Sequence, residues 1–298
     1  MNKFLLILVL GTAFFAKGFC DAMSPTNLLA LQYAERGFHS ASKGYYDDAI
    51  SNYVEAIKLN PNDTASYINL GHIYLKKGDC NSAITNFTIA LALSPQSTSG
   101  YNERGIAYSK LMLFDQAVAD FTRAIEIAPG NIRAIYNRGL GYISKKEYGR
   151  AIGDFTDGLK LDRTNKMIIN SRGIAYMKLK RWDSAVQDFK TVLALDESDS
   201  EANNNMAWLL STCPDDAYRN GRKAVFFSNK ACEMAHWNKW YYLGTLAAAY
   251  AEAGDYDQAI KFQKQAMDLQ GLKTDQQPEE QKKLELYQQH KPFRDNSN

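Results

Sequence analysis

A spacing of 34 residues organises most of this chain. Four rows of residues keep the interval, and between them the apolar residues follow a helical period. Each repeat is therefore predicted to be two amphipathic helices joined by a short turn. The rows are Gly37, Gly71, Gly105, Gly139 and Gly173; Ala49, Ala83, Ala117, Ala151 and Ala185; Tyr53, Phe87, Phe121, Phe155 and Phe189; and Tyr74, Tyr108, Tyr142 and Tyr176.

The rows have a simple physical interpretation. A glycine of the first helix facing an alanine of the second lets the two backbones approach, and the aromatic rows fill the space above them. Pro61, Pro95 and Pro129 end the first three repeats, because proline lacks an N–H and disfavours helical geometry in the residue before it. One hairpin cannot cover its own apolar faces, so the hairpins must stack into an all-α solenoid with a concave and a convex side.

The segment from Tyr101 to Tyr108, together with Ala117 and residues 121–124, resembles the tetratricopeptide repeat. The resemblance implies a right-handed α-solenoid superhelix whose concave groove is lined by the first helix of each repeat. It covers five regular repeats within residues 30–199, at 30–63, 64–97, 98–131, 132–165 and 166–199. It also implies a protein or peptide partner, and no cofactor.

The region after residue 199 is less regular. Residues 200–239 are predicted to form an irregular sixth repeat, whose turn from Cys213 to Gly221 contains an insertion that places Ala224 five residues late. This stretch resembles a C-terminal module of bacterial tetratricopeptide proteins, which favours a bacterial source. Residues 240–273 restore the pattern as a seventh repeat. Residues 274–298 are predicted to be a capping helix and tail, with Leu284, Leu286 and Tyr287 covering the last apolar face and Lys282, Lys283 and Glu285 in water.

The first residues differ from all the others. Lys3 precedes an apolar run from Phe4 to Ala16, which resembles a secretory signal peptide over residues 1–22, followed by an N-terminal segment, 23–29. The run is shorter than the ~20 residues that span a bilayer. Cleavage after Gly18 or Ala22 is compatible with the sequence, and the residues before Cys20 disfavour a lipoprotein. We expect an exported protein, periplasmic or secreted, with no membrane span in its mature chain.

Composition and motifs argue against several kinds of chemistry. The net charge is only +2, with acidic and basic residues interspersed, which disfavours nucleic acid as a partner. The histidines show no metal-binding spacing, and Cys80, Cys213 and Cys232 contain no Cys-x-x-Cys motif, so neither a metal site nor a disulfide framework is predicted. No catalytic motif is present, and we predict no enzyme activity and no catalytic residue.

A charged pattern accompanies the repeats. In three repeats an arginine directly precedes the row glycine and an aspartate lies 16 residues after that arginine. We predict structural ion pairs that bridge helices, within one repeat or between two, because bidentate pairs fix geometry. The pairs are Arg104 with Asp120, Arg138 with Asp154, and Arg172 with Asp188.

The exposed stripe of the first helices is the predicted ligand groove. Its apolar side chains would receive anchors from a peptide or partner helix, and Asn102 and Asn170 would hydrogen-bond the ligand backbone. Packing between repeats is the competing interpretation for each residue. The basic residues of a carboxylate clamp are missing, so a chaperone C-terminus is not the expected ligand. The predicted groove residues are Ile68, His72, Asn102, Ile106, Arg133, Tyr136, Leu140, Met167, Asn170 and Ile174.

These patterns predict a non-enzymatic scaffold or adaptor for protein–protein interaction. Two alternatives remain open at this stage. The chain could associate with itself to form a homo-oligomer, or it could be an accessory component of an envelope enzyme complex.

Overall fold

The computed structural model describes residues 24–269 and 274–295, and within these ranges it contains fifteen α-helices and no strand. A short 3-10 helix, Asp216–Tyr218, is also present. The helices are α1 Pro25–Ser42, α2 Tyr46–Leu59, α3 Thr64–Lys77, α4 Cys80–Leu93, α5 Thr98–Lys110, α6 Phe114–Ile127, α7 Ile132–Ser144, α8 Tyr148–Leu161, α9 Lys166–Lys178, α10 Trp182–Leu195, α11 Ser200–Thr212, α12 Gly221–Met234, α13 Trp240–Glu252, α14 Tyr256–Asp268 and α15 Gln277–Gln288.

The predicted fold class is confirmed, since the chain is all-helical and consists of consecutive helical hairpins. It divides into two compact units, which we call the N-terminal body, ending at Ala134, and the C-terminal body, beginning at Ile135. In the N-terminal body α1 packs on α2, α3 on α4 and α5 on α6. In the C-terminal body α9 packs on α10, α11 on α12 and α13 on α14, and α15 packs on α14.

The row glycines make room for aromatic rings. A methyl group added at Gly71 would lie 2.6 Å from the Phe87 ring, and one at Gly139 would lie 2.5 Å from the Phe155 ring. Both rings are fully buried. The sequence interpretation placed the row alanines opposite the glycines, and the structure corrects this because the aromatic ring itself occupies the space that the missing side chain leaves.

The turn inside each hairpin depends on one left-handed residue. Gly44 and Gly78 have φ of 83° and 84°, and the residues 34 positions further along, Met112, Lys146 and Lys180, keep φ between 57° and 60°. The next position of this series is Pro214. Because its ring fixes φ near −65°, proline cannot adopt this conformation. The sixth repeat therefore needs a different and longer turn, and its insertion supplies the 3-10 helix.

The first helix begins earlier than the predicted boundary. Helix α1 begins at Pro25, capped by Ser24, so residues 25–29 belong to the first helix rather than to a separate segment 23–29. Helix α15, Gln277–Gln288, lies within the predicted capping segment, 274–298. The predicted signal peptide, 1–22, and Cys20 lie outside the described residues. No helix in the described ranges has the length and apolar character to cross a membrane.

The capping helix corrects one expectation. Leu284 and Tyr287 are buried, as a cap requires, but Lys283 is also buried instead of facing water. Its ammonium group lies 2.8 Å from the buried Glu280 carboxylate and 5.1 Å from the ring centres of Trp208 and Phe293. Pairing with a carboxylate and two aromatic faces compensates for the water that the lysine loses.

Candidate peptide-binding surface

The first helices of the N-terminal body present part of the predicted groove. Ile68, His72 and Ile106 are partly exposed, and Arg133 is exposed. Asn102 is only 2% exposed, and its Nδ2 lies 3.4 Å from a carboxylate oxygen of Glu103. The structure therefore corrects the placement of Asn102, which is buried between helices rather than displayed to a ligand.

A buried carboxylate connects two of these residues. Glu103 is 3% exposed; its Oε1 lies 2.6 Å from Nη2 of Arg133, and its Oε2 lies 3.4 Å from Nδ1 of His72. Sequence reasoning named His72 and Arg133 but missed Glu103. The available signal was its row, since the positions 34 residues away on either side hold Asn69 and Asn137.

The Glu103 cluster affects the charge of His72. Burial lowers the pKa of the His72 imidazole, Glu103 acts in the opposite direction, and the positive charges of Arg133 and Lys76 lower the pKa further. His72 is thus neutral at physiological pH, and Arg133 supplies the positive charge that balances Glu103. The cluster joins helices α3, α5 and α7 through one carboxylate.

The first helices of the C-terminal body carry the other predicted groove residues. Met167 is 60% exposed and Leu140 is 37% exposed. Ile174 and Tyr136 are partly buried, and the Tyr136 hydroxyl lies 3.3 Å from Oγ of Ser171. Asn170 is buried and accepts a hydrogen bond from Asn205 Nδ2 at 3.1 Å, so its predicted placement on the exposed stripe is also corrected.

The described chain ends on this same surface. Residues 291–295, which we call the tail, are not helical, and the backbone N–H of Asp295 donates to the carbonyl oxygen of Thr212 at 2.9 Å. The Trp208 indole N–H donates to the Asp295 carboxylate at 3.0 Å, and the Phe293 and Trp208 ring centres are 5.9 Å apart. Arg294 binds the Glu252 carboxylate at 2.7 Å.

Trp208 lies 34 residues after Ile174 and is therefore the next member of the predicted stripe. Sequence reasoning missed it because the stripe was ended at the last regular repeat. The repeat interval was the signal that could have found it. In the C-terminal body, a non-helical segment thus lies against α11, a first helix, held there by a backbone hydrogen bond, a charge-assisted hydrogen bond and a ring contact.

The predicted arginines and aspartates are joined in every case. Each guanidinium binds its carboxylate through Nε and Nη2 at 2.7–2.9 Å, and the pairs link the two helices of one hairpin. Arg104 also donates to Thr88 Oγ1 of the preceding repeat at 3.1 Å, and Arg172 donates to Thr156 Oγ1 at 3.4 Å. The partners are Arg104–Asp120, Arg138–Asp154 and Arg172–Asp188.

The cysteines and histidines show no reactive arrangement in the part of the chain that the structure describes. Cys80, Cys213 and Cys232 are buried free thiols, and burial raises the pKa of Cys232 to about 12. No group of histidine, cysteine and acidic side chains in the described residues could hold a metal ion. These observations describe packed interior thiols rather than nucleophiles.

Family models support the repeat assignment directly. A model described as TPR repeat matches residues 41–78, and models described as tetratricopeptide repeat match residues 64–97, 99–131 and 241–270. Tetratricopeptide-repeat models thus match residues 41–97, 99–131 and 241–270 of this chain. The match at 241–270 shows that the repeat pattern resumes after the irregular sixth repeat. Comparison with curated protein sequences gave no match.

Solved structures of tetratricopeptide-repeat proteins share the fold. A tetratricopeptide repeat protein from Parabacteroides merdae ATCC 43184 superposes with a TM-score of 0.67 at 18% identity, covering 88% of this chain and 99% of that one. The MamA protein gives a TM-score of 0.54 at 27% identity, covering 58% of this chain and 94% of that one. YrrB, a TPR protein described as having an unusual peptide-binding site, gives a TM-score of 0.51 at 18% identity, covering 58% of this chain and 89% of that one.

Tetratricopeptide repeats generally serve as non-catalytic scaffolds for protein interaction. The family matches and the structural likeness to the MamA protein support that role for this chain.

Proposed function

We propose that the chain is an exported, non-enzymatic adaptor that binds a peptide or a partner helix on the exposed surface of its first helices. The apolar run at residues 4–16 motivates the export, to the periplasm or the outside of a bacterial cell. The tetratricopeptide repeats motivate the scaffold role.

The tail is the observation that supports this function best. Residues of α11, a first helix of the C-terminal body, contact this non-helical segment through its backbone, an aromatic ring and a carboxylate, which supports peptide binding by similar contacts. A partner peptide would use the same chemistry further along the surface, where Leu140 and Met167 are exposed apolar side chains without a covering segment in the described chain.

The N-terminal body offers a second surface of mixed chemistry. Ile68 and Ile106 supply apolar contact area, and Arg133 is exposed beside them. Because Glu103 already binds Arg133, the surface holds little unbalanced charge. It is therefore suited to a peptide with apolar anchors rather than to a highly acidic ligand.

A pull-down with matched variants tests the function. The purified chain from residue 24 onward, with Leu140→Ala and Met167→Ala, is compared with the unaltered chain on extracts of the source cell envelope. A Leu161→Ala variant is the control, because Leu161 is 51% exposed on a second helix. We expect a protein to be recovered with the unaltered chain and the control, and to be lost with the double variant.

Three results would contradict the proposal. Equal recovery with the double variant would remove the first-helix surface of the C-terminal body from consideration. Recovery of further copies of this chain alone, with an oligomer in light scattering, would favour self-association. An uncleaved N-terminus on protein isolated from cells, where cleavage after Gly18 or Ala22 is expected, would contradict export.

A further inference from the structure

A cleft of about 800 Å³ lies in the C-terminal body between α10 and α12, closed on one side by α11 and the 3-10 helix. Phe226 is 63% exposed, and its ring meets the Phe227 ring edge-to-face with centres 5.4 Å apart. An exposed aromatic ring beside a cleft lined by partly buried apolar side chains is typical of an interaction site. The apolar lining used below consists of Val186, Leu193, Met206, Leu210, Phe226 and Phe227.

The cleft lies where the repeat loses its ion pair. The position that follows Arg172 by 34 residues is Met206. After the five-residue displacement of the sixth repeat, the position equivalent to Asp188 is Phe227. Both residues that form a bidentate ion pair in the fifth repeat are therefore apolar in the sixth, and both line the cleft.

A third member of the same network changes as well. Thr88 and Thr156 receive hydrogen bonds from the arginines of the following repeats, and the equivalent residue before the sixth repeat is Lys190. Because the sixth repeat has no arginine at this position, a threonine there would receive no hydrogen bond from it. A lysine lies at the edge of the cleft instead. The ion pair of the fifth repeat is thus replaced in the sixth by two apolar side chains, the buried Met206 and the partly buried Phe227, with a lysine at the edge of the cleft.

The charge around the cleft has one sign. Lys190, Arg222 and Lys223 line it, and no aspartate or glutamate does. None of these three cations has an ion pair within the described residues. Tyr218, at the rim, directs its hydroxyl to Asp183, which lies outside the lining. The uncompensated positive edge favours an occupant with carboxylates beside its apolar side chains.

We propose that this cleft docks an acidic amphipathic helix of a partner protein. The helix would place apolar side chains against Phe226, Phe227 and Leu193, and acidic side chains near Lys190, Arg222 and Lys223. Because Phe226 is largely exposed, an occupant beside it would stay partly in contact with solvent, as a helix lying on a protein surface does, whereas small-molecule pockets bury most of their ligand. The site is formed mainly by second helices, so it goes beyond the first-helix surface of the proposed function.

Selection from a displayed peptide library tests the proposal on the chain from residue 24 onward. Random peptides of about 16 residues, roughly 24 Å long as helices, are selected on the unaltered chain and depleted on a Phe226→Ser variant. We expect enriched peptides to carry apolar residues three and four apart with aspartate or glutamate between them. Synthetic copies are then measured by fluorescence anisotropy.

Variants of the cleft and matched controls decide the outcome. Phe226→Ser and the Lys190→Glu, Lys223→Glu double variant are each expected to weaken binding by about tenfold or more. The first removes apolar contact with the helix, and the second removes the positive charges that face its carboxylates. Leu161→Ser and Lys160→Glu alter equally exposed residues of another second helix and should leave binding unchanged.

Other results would overturn the proposal. Enrichment of basic peptides, or equal affinity of the Phe226→Ser variant, would exclude an acidic helix at this site. If oleate displaced the selected peptide and bound one molecule per chain, the cleft would be a lipid site instead. A dimer that dissociates on Phe226→Ser substitution would show that a second copy of this chain covers the cleft.

Discussion

Replacing Gly139 by alanine tests the packing that sets the repeat interval. Alanine adds one methyl group inside α7, and that group would lie 2.5 Å from Cε1 of Phe155 and 3.0 Å from its Cδ1 and Cζ. Carbon atoms in contact prefer separations of about 3.5–4.0 Å, so the ring must retreat by about 1 Å. Phe155 is fully buried, and its retreat must displace other core atoms.

Two effects oppose each other at this position. Alanine favours the helix over glycine by about 1 kcal/mol, whereas an extra methyl group in a packed core costs about 1–3 kcal/mol. We expect the steric cost to exceed the gain and to give a net loss of about 1 kcal/mol. Gly153→Ala in α8 is the matched control, since nothing lies within 4 Å of its added methyl group. It should gain up to about 1 kcal/mol.

The difference between the two variants isolates the steric cost, because both gain the same helix propensity. Urea unfolding followed by far-ultraviolet circular dichroism measures it, and a 2 kcal/mol difference corresponds to about 1 M between the two midpoints. Equal midpoints for Gly139→Ala and Gly153→Ala would refute the reasoning, because the ring of Phe155 would then have room for the methyl group. A Gly139→Leu variant should lose still more stability.

Three further predictions follow from the buried charged groups and the buried thiols. Arg172→Ala should lower the free energy of unfolding by about 3–5 kcal/mol, because it leaves Asp188 buried and unpaired. The double variant Arg172→Met, Asp188→Phe should recover most of that stability in urea unfolding. A double variant as unstable as Arg172→Ala would argue against the packing explanation. The pKa of His72 in the folded protein lies below the usual 6.5, so the unfolded chain takes up a proton at a higher pH than the folded protein does. The free energy of unfolding should therefore decrease as the pH falls below 6.5. A His72→Gln variant should lack this decrease when melting is measured as a function of pH. The Cys232 thiol, with its pKa raised to about 12, should resist iodoacetamide in the folded protein and react once urea unfolds it, as read by peptide mass spectrometry; rapid native labelling would contradict its burial.

Much of the fold was accessible from the sequence because the repeat interval survives over five repeats. The rows fix which residues face each other, and the partners of Arg104, Arg138 and Arg172 follow from a constant offset. The left-handed turn residues Met112 and Lys146 gave no such signal, since neither residue type indicates positive φ.

The groove was harder to predict for a different reason. Helical spacing identifies the face of a first helix but not whether the neighbouring repeat covers it, and Asn170 is covered by Asn205. Contacts between residues distant in sequence were also inaccessible. Nothing local indicates that Lys283 lies over Trp208, or that Asp295 returns to the same ring.

The tail can detach locally while the helical repeats stay folded. The contacts that hold residues 293–295 to the helices are side-chain contacts and one backbone hydrogen bond to Thr212, so their release would uncover Trp208 without breaking a hydrogen bond inside a helix. The free energy of such an opening is much smaller than that of unfolding a hairpin. We therefore expect the backbone amide of Asp295 to exchange its hydrogen faster than the amides in the buried turns of α11. The free energy needed to uncover Trp208 is thus independent of the free energy of unfolding of the repeats.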